Sequence, residues 1–286
     1  MPGAVSPSRA GLGALLGASH PLPSAAVTTF SVAVSAALGR SGPGVVLVGL
    51  AVLAGQLSIG WSNDLLDHGR DQVAHRSDKP LATGRVAAPT VAAACAAAAL
   101  ACVPLSLASG VLAGTVHLVA VAGGWAYNLG IKRTWASPLP FAVSFALLTA
   151  FLTLGLPDEP WPQPWALATG ALLGVGAHFL NVVPDVADDL DAGVRGLPQR
   201  LGPGWAAVSG AALLATACAL VVVAPDGAAP WWAWVGLAGA VGCAAAAAAF
   251  GARSEPGSRG RAPFLLAVVT AAIAVLLLVA RGGALV

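Results

Sequence analysis

The chain has 286 residues, of which 57% are hydrophobic and 9% charged, with a formal net charge of +2 and a mean hydropathy of +0.82. So few charges cannot cover the apolar surface that a water-soluble globule of this composition would expose. The expectation is an all-α integral membrane protein in contact with lipid, with no nucleic-acid partner.

In chain order, residues 1–21 read as a short Ser/Pro/Gly-rich cytoplasmic tail, because they lack the charged start, apolar centre and cleavage site of a secretory signal. Residues 22–286 read as one membrane domain. Nine apolar stretches come close to the roughly 20 residues that cross a hydrocarbon core of about 30 Å. They lie near 22–39, 44–62, 88–108, 110–129, 136–156, 163–184, 204–224, 230–250 and 263–281, the third and fourth separated only by Ser109 and Gly110.

Alternating spans put twelve of the fourteen Lys and Arg on one side: Arg9, Arg70, Arg76, Lys79, Arg85, Lys132, Arg133, Arg195, Arg200, Arg253, Arg259 and Arg261. Only Arg40 and Arg281 fall on the other. The positive-inside rule then places the N-terminus in the cytoplasm and the C-terminus outside, and a count of eight or ten spans would scatter the asymmetry. Cys95, Cys102, Cys218 and Cys243 sit inside apolar stretches without CxxC spacing and read as small buried hydrophobes. The Ala-rich runs "VAAACAAAALAC" and "CAAAAAAF" read as close-packing helix faces.

Eight of the twelve acidic residues form two clusters on the cytoplasmic side. Asp64, Asp67, Asp71 and Asp78 follow span two; Asp185, Asp188, Asp189 and Asp191 follow span six. Positions 64, 67 and 71 share one face of a helix continuing out of span two, with Asn63 beside them. Asn181, Asp185 and Asp189, spaced by four, would share a face of a helix continuing out of span six. Carboxylates converging from two helix ends repel one another unless cations separate them, and all-oxygen ligands favour Mg2+ or Ca2+ over zinc. Arg70, Arg76 and Lys79 serve either as topology signals or, beside a metal, as partners for a diphosphate.

These residues resemble a known family. Asn63-Asp64-Leu65-Leu66-Asp67-His68-Gly69-Arg70-Asp71 matches NDxxDxxxD, and Asp185-Val186-Ala187-Asp188-Asp189 matches DxxxD, the two signatures of UbiA-type intramembrane prenyltransferases. "HRSDKPLATGRV" and "DAGVRGLPQRLG" look like the stretches that follow them. The resemblance implies a nine-helix bundle around a central cavity, with Mg2+ on Asp64, Asp67, Asp71, Asp185 and Asp189 holding an isoprenyl diphosphate and Asn63 in support. It further implies ionisation of the allylic C–O bond, with the cation shielded from water until a nucleophile captures it.

In "WAYNLGIKRTWASP" many relatives carry a tyrosine and a lysine four apart, whereas Tyr127 and Lys132 are five apart, so Asn128 stands one turn before Lys132. Lys132 is a candidate diphosphate ligand, and Tyr127 a cavity-lining or interfacial ring. Relatives acting on aromatic acids often have an arginine near the first helix, where this chain has His20, which either replaces it or caps the helix at Pro21. His178, Trp61 and Trp125 are pocket candidates; the remaining tryptophans read as interfacial anchors. The functions left open are Mg2+-dependent prenyl transfer to a small aromatic or lipid acceptor, cyclisation of the isoprenyl diphosphate without an acceptor, and cation transport, which the helix-end position of the clusters disfavours. Ala/Gly richness and few lysines suggest the inner membrane of a high-GC bacterium.

Overall fold

The computed structural model describes residues 7–74, 76–253, 262–281 and 284–286. The expected cytoplasmic residues Arg259 and Arg261, and the first six residues of the expected tail, lie outside these. Among the described residues every element is helical: α1 (Pro7–Gly17), α2 (Pro21–Ala37), α3 (Gly42–Val73), α4 (Ala88–Leu107), α5 (Val111–Leu129), α6 (Leu139–Leu154), α7 (Pro164–Val182), α8 (Val186–Asp191), α9 (Leu197–Val223), α10 (Trp231–Arg253) and α11 (Ala262–Ala280). Each of the nine expected apolar stretches overlaps one of these helices. Among the described residues five helical stretches are long and apolar enough to cross a membrane: Gly42–Val73, Ala88–Leu107, Pro164–Asp191, Leu197–Val223 and Trp231–Phe250. The apolar helices α2 and α6 are shorter, with 17 and 16 residues.

The 32-residue α3 is the longest element. It starts at Ser41, whose Oγ accepts the Gly44 N–H at 3.3 Å, and Pro43 in its first turn has no N–H to leave unpaired. No proline interrupts it after Pro43, and it carries the first acidic motif about three turns beyond the expected end of its span. A 3-10 turn, Ile131–Arg133, follows α5, and a second, Val183–Asp185, joins α7 to α8. Pro184 removes one helical N–H at the second turn, so Asn181 and Asp189 do not lie on one uninterrupted α-helix as their spacing predicts.

Small residues set the closest helix contacts, though not where the alanine runs point. Most alanines of α4 face outward, and its packed face is Val91, Cys95, Cys102 and Ser106. In α10, Ala240, Ala244 and Ala247 are buried as expected. Gly170 and Gly174 of α7 lie against the backbone of α6 at Phe145 and Phe141, closer than any side chain would allow.

The expected tail is partly helix. α1 has two internal glycines and little intrinsic preference for helix, yet Ala14 and Ala18 pack with Trp61, Leu81 and Val86 in a core separate from the main one. Trp61 Nε1 donates to the Leu15 carbonyl at 2.9 Å, and Trp125 Nε1 donates to Ser58 Oγ at 3.2 Å. These indoles clamp α1 and α5 to α3, and neither is among the residues that line the apolar cavity between α2, α3, α5 and α6.

Gly60 lets the α1–α2 connection reach α3, since a Cβ there would collide with the Ser19 carbonyl. Gly60→Ala is expected to destabilise the protein by about 1–3 kcal/mol, the overpacking range. Gly69→Ala, on the same helix with open space around it, is expected to stabilise it by about 0.5–1 kcal/mol. Unfolding midpoints of the two variants in detergent check this.

Candidate active site

The first motif forms a line of buried charge at the end of α3. Asp64, Asp67 and Asp71 are 1%, 4% and 5% exposed, and each would be strongly disfavoured in an apolar bundle without a partner. The chain's own basic groups supply the partners. Lys79 Nζ donates to Asp64 Oδ1 at 2.7 Å. Lys132 Nζ, itself 4% exposed, donates to both oxygens of Asp67 at 2.6 Å. Arg70 Nη2 donates to Asp67 Oδ2 at 2.9 Å, and its Nε stands 3.7 Å from Asp71 Oδ1. The repulsion expected among these carboxylates is thus already relieved within the protein. Among the described residues no three His, Cys, Asp or Glu side chains converge on a single ion position.

Among these ion-paired side chains two buried atoms remain unsatisfied. Asp64 Oδ2 and Arg70 Nη1 are both buried without a hydrogen-bond partner. An unpaired carboxylate oxygen suits a hard cation, and an unpaired guanidinium N–H suits an anion. As a test of whether the residues suit Mg2+, the all-oxygen donor set and the orphaned Asp64 oxygen fit it.

The second motif stands across a polar crevice lined by Arg70, Arg76, Asp78, Asp188 and Asp191. Arg76 bridges the two sides. Its Nε and Nη2 each donate to Asp78 at 2.9 Å, and its Nη1 lies 3.8 Å from Asp185 Oδ1. These hydrogen bonds and the guanidinium charge hold the Asp78 pKa down at about 2, against burial, and Asp78 in turn raises that of Arg76. Asp189 accepts from Gln199 Nε2 at 2.9 Å, while the Asn181 side chain is exposed and has no hydrogen-bond partner among the described residues. Gln199 falls within the stretch "DAGVRGLPQRLG", but nothing in the sequence singles out its amide as the partner of Asp189.

The turn after α5 delivers Lys132. Asn128, buried at the end of α5, donates to the Ile59 carbonyl at 2.9 Å and to Ser62 Oγ at 2.8 Å, and accepts from Asn63 Nδ2 at 3.1 Å. Its amide is therefore committed to α3, where it holds the Asn63 side chain. Burial draws the Lys132 pKa below the usual lysine value, with the Asp67 hydrogen bonds and charge pulling the other way.

Tyr127 lies with Ile59, Phe141 and Phe145 along a largely apolar cavity between α2, α3, α5 and α6. Ile59, whose carbonyl accepts from Asn128, and Tyr127, the chain neighbour of Asn128, place one side of this cavity next to the Asn128 hydrogen bonds. His178 does not line it. Its ring stacks on Phe141 at 4.3 Å and meets Tyr127 edge-on at 5.4 Å, while Nε2 pairs with Ser137 Oγ at 3.3 Å.

His20 is the residue the sequence reading placed least well. It stands at the start of α2 in a left-handed conformation, φ 54 and ψ 64, and its side chain makes no cap. Instead Nε2 lies 3.1 Å from Asp64 Oδ1 and 3.0 Å from Lys79 Nζ.

A profile of the UbiA prenyltransferase family matches residues 24–269. No curated protein matches the chain in sequence. Among solved structures, a UbiA homolog from Archaeoglobus fulgidus bound to GPP and Mg2+ is 19% identical, with a TM-score of 0.70 over 95% of this chain and 98% of the other. The apo UbiA homolog from Aeropyrum pernix K1 is also 19% identical, with a TM-score of 0.69 over 90% and 97%. A digeranylgeranylglyceryl phosphate synthase is 15% identical, with a TM-score of 0.65 over 95% and 98%. At these identities the likeness speaks for the fold. With the profile covering most of its length, the chain belongs to the membrane-integral UbiA prenyltransferase family.

Proposed function

We propose that the chain is a Mg2+-dependent intramembrane prenyltransferase that ionises an isoprenyl diphosphate and passes the prenyl group to a small aromatic or lipid acceptor. In this reading nine helices span the inner membrane of a bacterium, with the N-terminus and both motifs on the cytoplasmic side and residues 22–286 forming one membrane domain. The observation that carries it is the pair of buried, unpartnered atoms on α3, Asp64 Oδ2 and Arg70 Nη1. One calls for a cation and the other for an anion, six residues apart on one helix, which is what a metal-bound diphosphate offers together. The related A. fulgidus structure with GPP and Mg2+ supports the same pairing.

Asp64, Asp71, Asp185 and Asp189 would hold the metal with Asn63 Oδ1 beside them, and Asp67 would join them on exchanging Lys132. Bound there, Mg2+ would draw off the negative charge that develops on the leaving diphosphate. Arg70 Nη1 donates to a diphosphate oxygen without giving up the Nη2 bond to Asp67, and Arg76 and Lys79 add positive charge at the mouth. Lys132, released from Asp67, becomes a further donor to the leaving group. Tyr127, Phe141 and Phe145 keep water from the allylic cation, and their faces stabilise its charge. The same aromatic wall favours cyclisation as the second reading, with an alkene of the substrate itself as nucleophile.

Purified protein with Mg2+ and C10 to C20 isoprenyl diphosphates, with and without acceptors, tests the reading through diphosphate release. Asp64→Ala is expected to abolish release, and Lys132→Ala to reduce turnover by roughly two to three orders of magnitude, the range for one preorganised charge-stabilising donor. Arg133→Ala, exposed in the same turn, is expected to change little. Wild-type turnover in Asp64→Ala, or equal small losses in both turn variants, contradicts it.

A second outcome reads the Asp67–Lys132 pair through stability. Asp67→Asn strands a buried ammonium with no other carboxylate and is expected to cost about 3–5 kcal/mol. Lys132→Ala is expected to cost less, because Asp67 keeps Arg70. Unfolding midpoints of the two variants in detergent give the order.

A further inference from the structure

His20 precedes residues 24–269, the stretch matched by the family profile, and belongs to neither motif. It nevertheless touches Asp64, the most buried of the three α3 carboxylates. His20 Nε2 and Lys79 Nζ both crowd Oδ1 of Asp64, at 3.1 Å and 2.7 Å, and Oδ2 is left buried and unpartnered. A carboxylate held by two groups on one oxygen cannot rotate without losing both contacts, so the direction of Oδ2 is set. Of the two, the imidazole is the stiffer restraint, since the lysine ammonium rides on a flexible four-carbon stem.

The placement of His20 is costly and built. A left-handed backbone at a residue other than glycine costs on the order of 1–3 kcal/mol and persists only where the surroundings impose it. Here the Ser19 carbonyl is seated against Gly60 and accepts from Ser24 Oγ at 3.1 Å. One turn earlier, Trp61 holds the Leu15 carbonyl, and Ala14 and Ala18 of α1 pack against Trp61 and Leu81. The start of α2 does not require this geometry, because Pro21 has no N–H to cap and the His20 side chain caps nothing. What the strained elbow achieves is to aim the imidazole at Asp64.

We propose that His20 is a positioning residue for the divalent cation of Asp64, and that α1 is the strap that holds it there. The proposal rests on the metal reading above. His20 acts through the carboxylate and touches neither metal nor substrate. Groups that orient a metal-bound carboxylate or imidazole contribute about 10- to 100-fold in metal affinity when removed.

Titration of the purified full-length protein with Mn2+ alone, free Mn2+ being read by electron paramagnetic resonance, tests this without any turnover. His20→Ala is expected to weaken Mn2+ binding by about tenfold or more. His20→Gln, whose amide N–H can still reach Oδ1, is expected to stay within a few-fold of wild type. Unfolding midpoints measured without metal report whether α1 stays docked. Wild-type affinity in His20→Ala overturns the proposal while leaving the metal reading intact. Equal losses in both variants, with equally lowered midpoints, overturn it in favour of a purely structural role. A wild-type protein that binds no Mn2+ removes the metal reading and the proposal together.

Discussion

Three carboxylates buried on one face of α3 constrain the rest of this molecule. In a bundle this apolar, an uncompensated ionised side chain is far more costly than any single packing contact is worth, so each carboxylate must be met by a positive group from elsewhere in the chain. Lys79 comes from the loop after α3, Lys132 from the 3-10 turn after α5, and Arg70 from α3 itself. The path of the chain around the site follows from those requirements. The turn carrying Lys132 also lies against Gly196, ahead of α9, whose Gln199 holds Asp189 of the second motif. Charge compensation on α3 thereby ties together elements far apart in sequence.

That compensation is incomplete in one informative way. Each of the three α3 carboxylates has a basic neighbour, yet among these ion-paired groups one buried carboxylate oxygen, Asp64 Oδ2, and one guanidinium nitrogen, Arg70 Nη1, remain without partners. Complete pairing would yield an inert structural salt-bridge network; too little would not fold. A site with one acceptor and one donor left over stays folded when empty and retains affinity for a ligand that carries both charges. The apolar cavity lined in part by Ile59 and Tyr127 suits the hydrocarbon part of such a ligand.

Much of this was legible in the sequence, for identifiable reasons. The i, i+3, i+7 spacing of Asp64, Asp67 and Asp71 reports a helix face directly, because a continuous α3 preserves local periodicity. Apolar stretches likewise mark the main helices. Spacing failed where the backbone departs from an ideal helix, as between Asn181 and Asp189, where Pro184 intervenes. It also failed where a contact joins distant segments. Nothing near Asn128 shows that its amide is used up by Ile59, Ser62 and Asn63, and nothing near His20 points 44 residues ahead to Asp64. Trp61 and Trp125 looked like cavity residues because aromatic rings near a motif fit a pocket as readily as a packed seam. α1 looked like a tail because its helicity comes from docking rather than from propensity.

The claim on which the account stands is that cation and anion are bound as one unit. Isothermal titration of the purified protein with inorganic diphosphate, in the presence and absence of Mg2+, tests it most directly. The account predicts that saturating Mg2+ tightens diphosphate binding at least about tenfold, a coupling of about 1.4 kcal/mol or more. Diphosphate affinity that is the same with and without Mg2+ would contradict it.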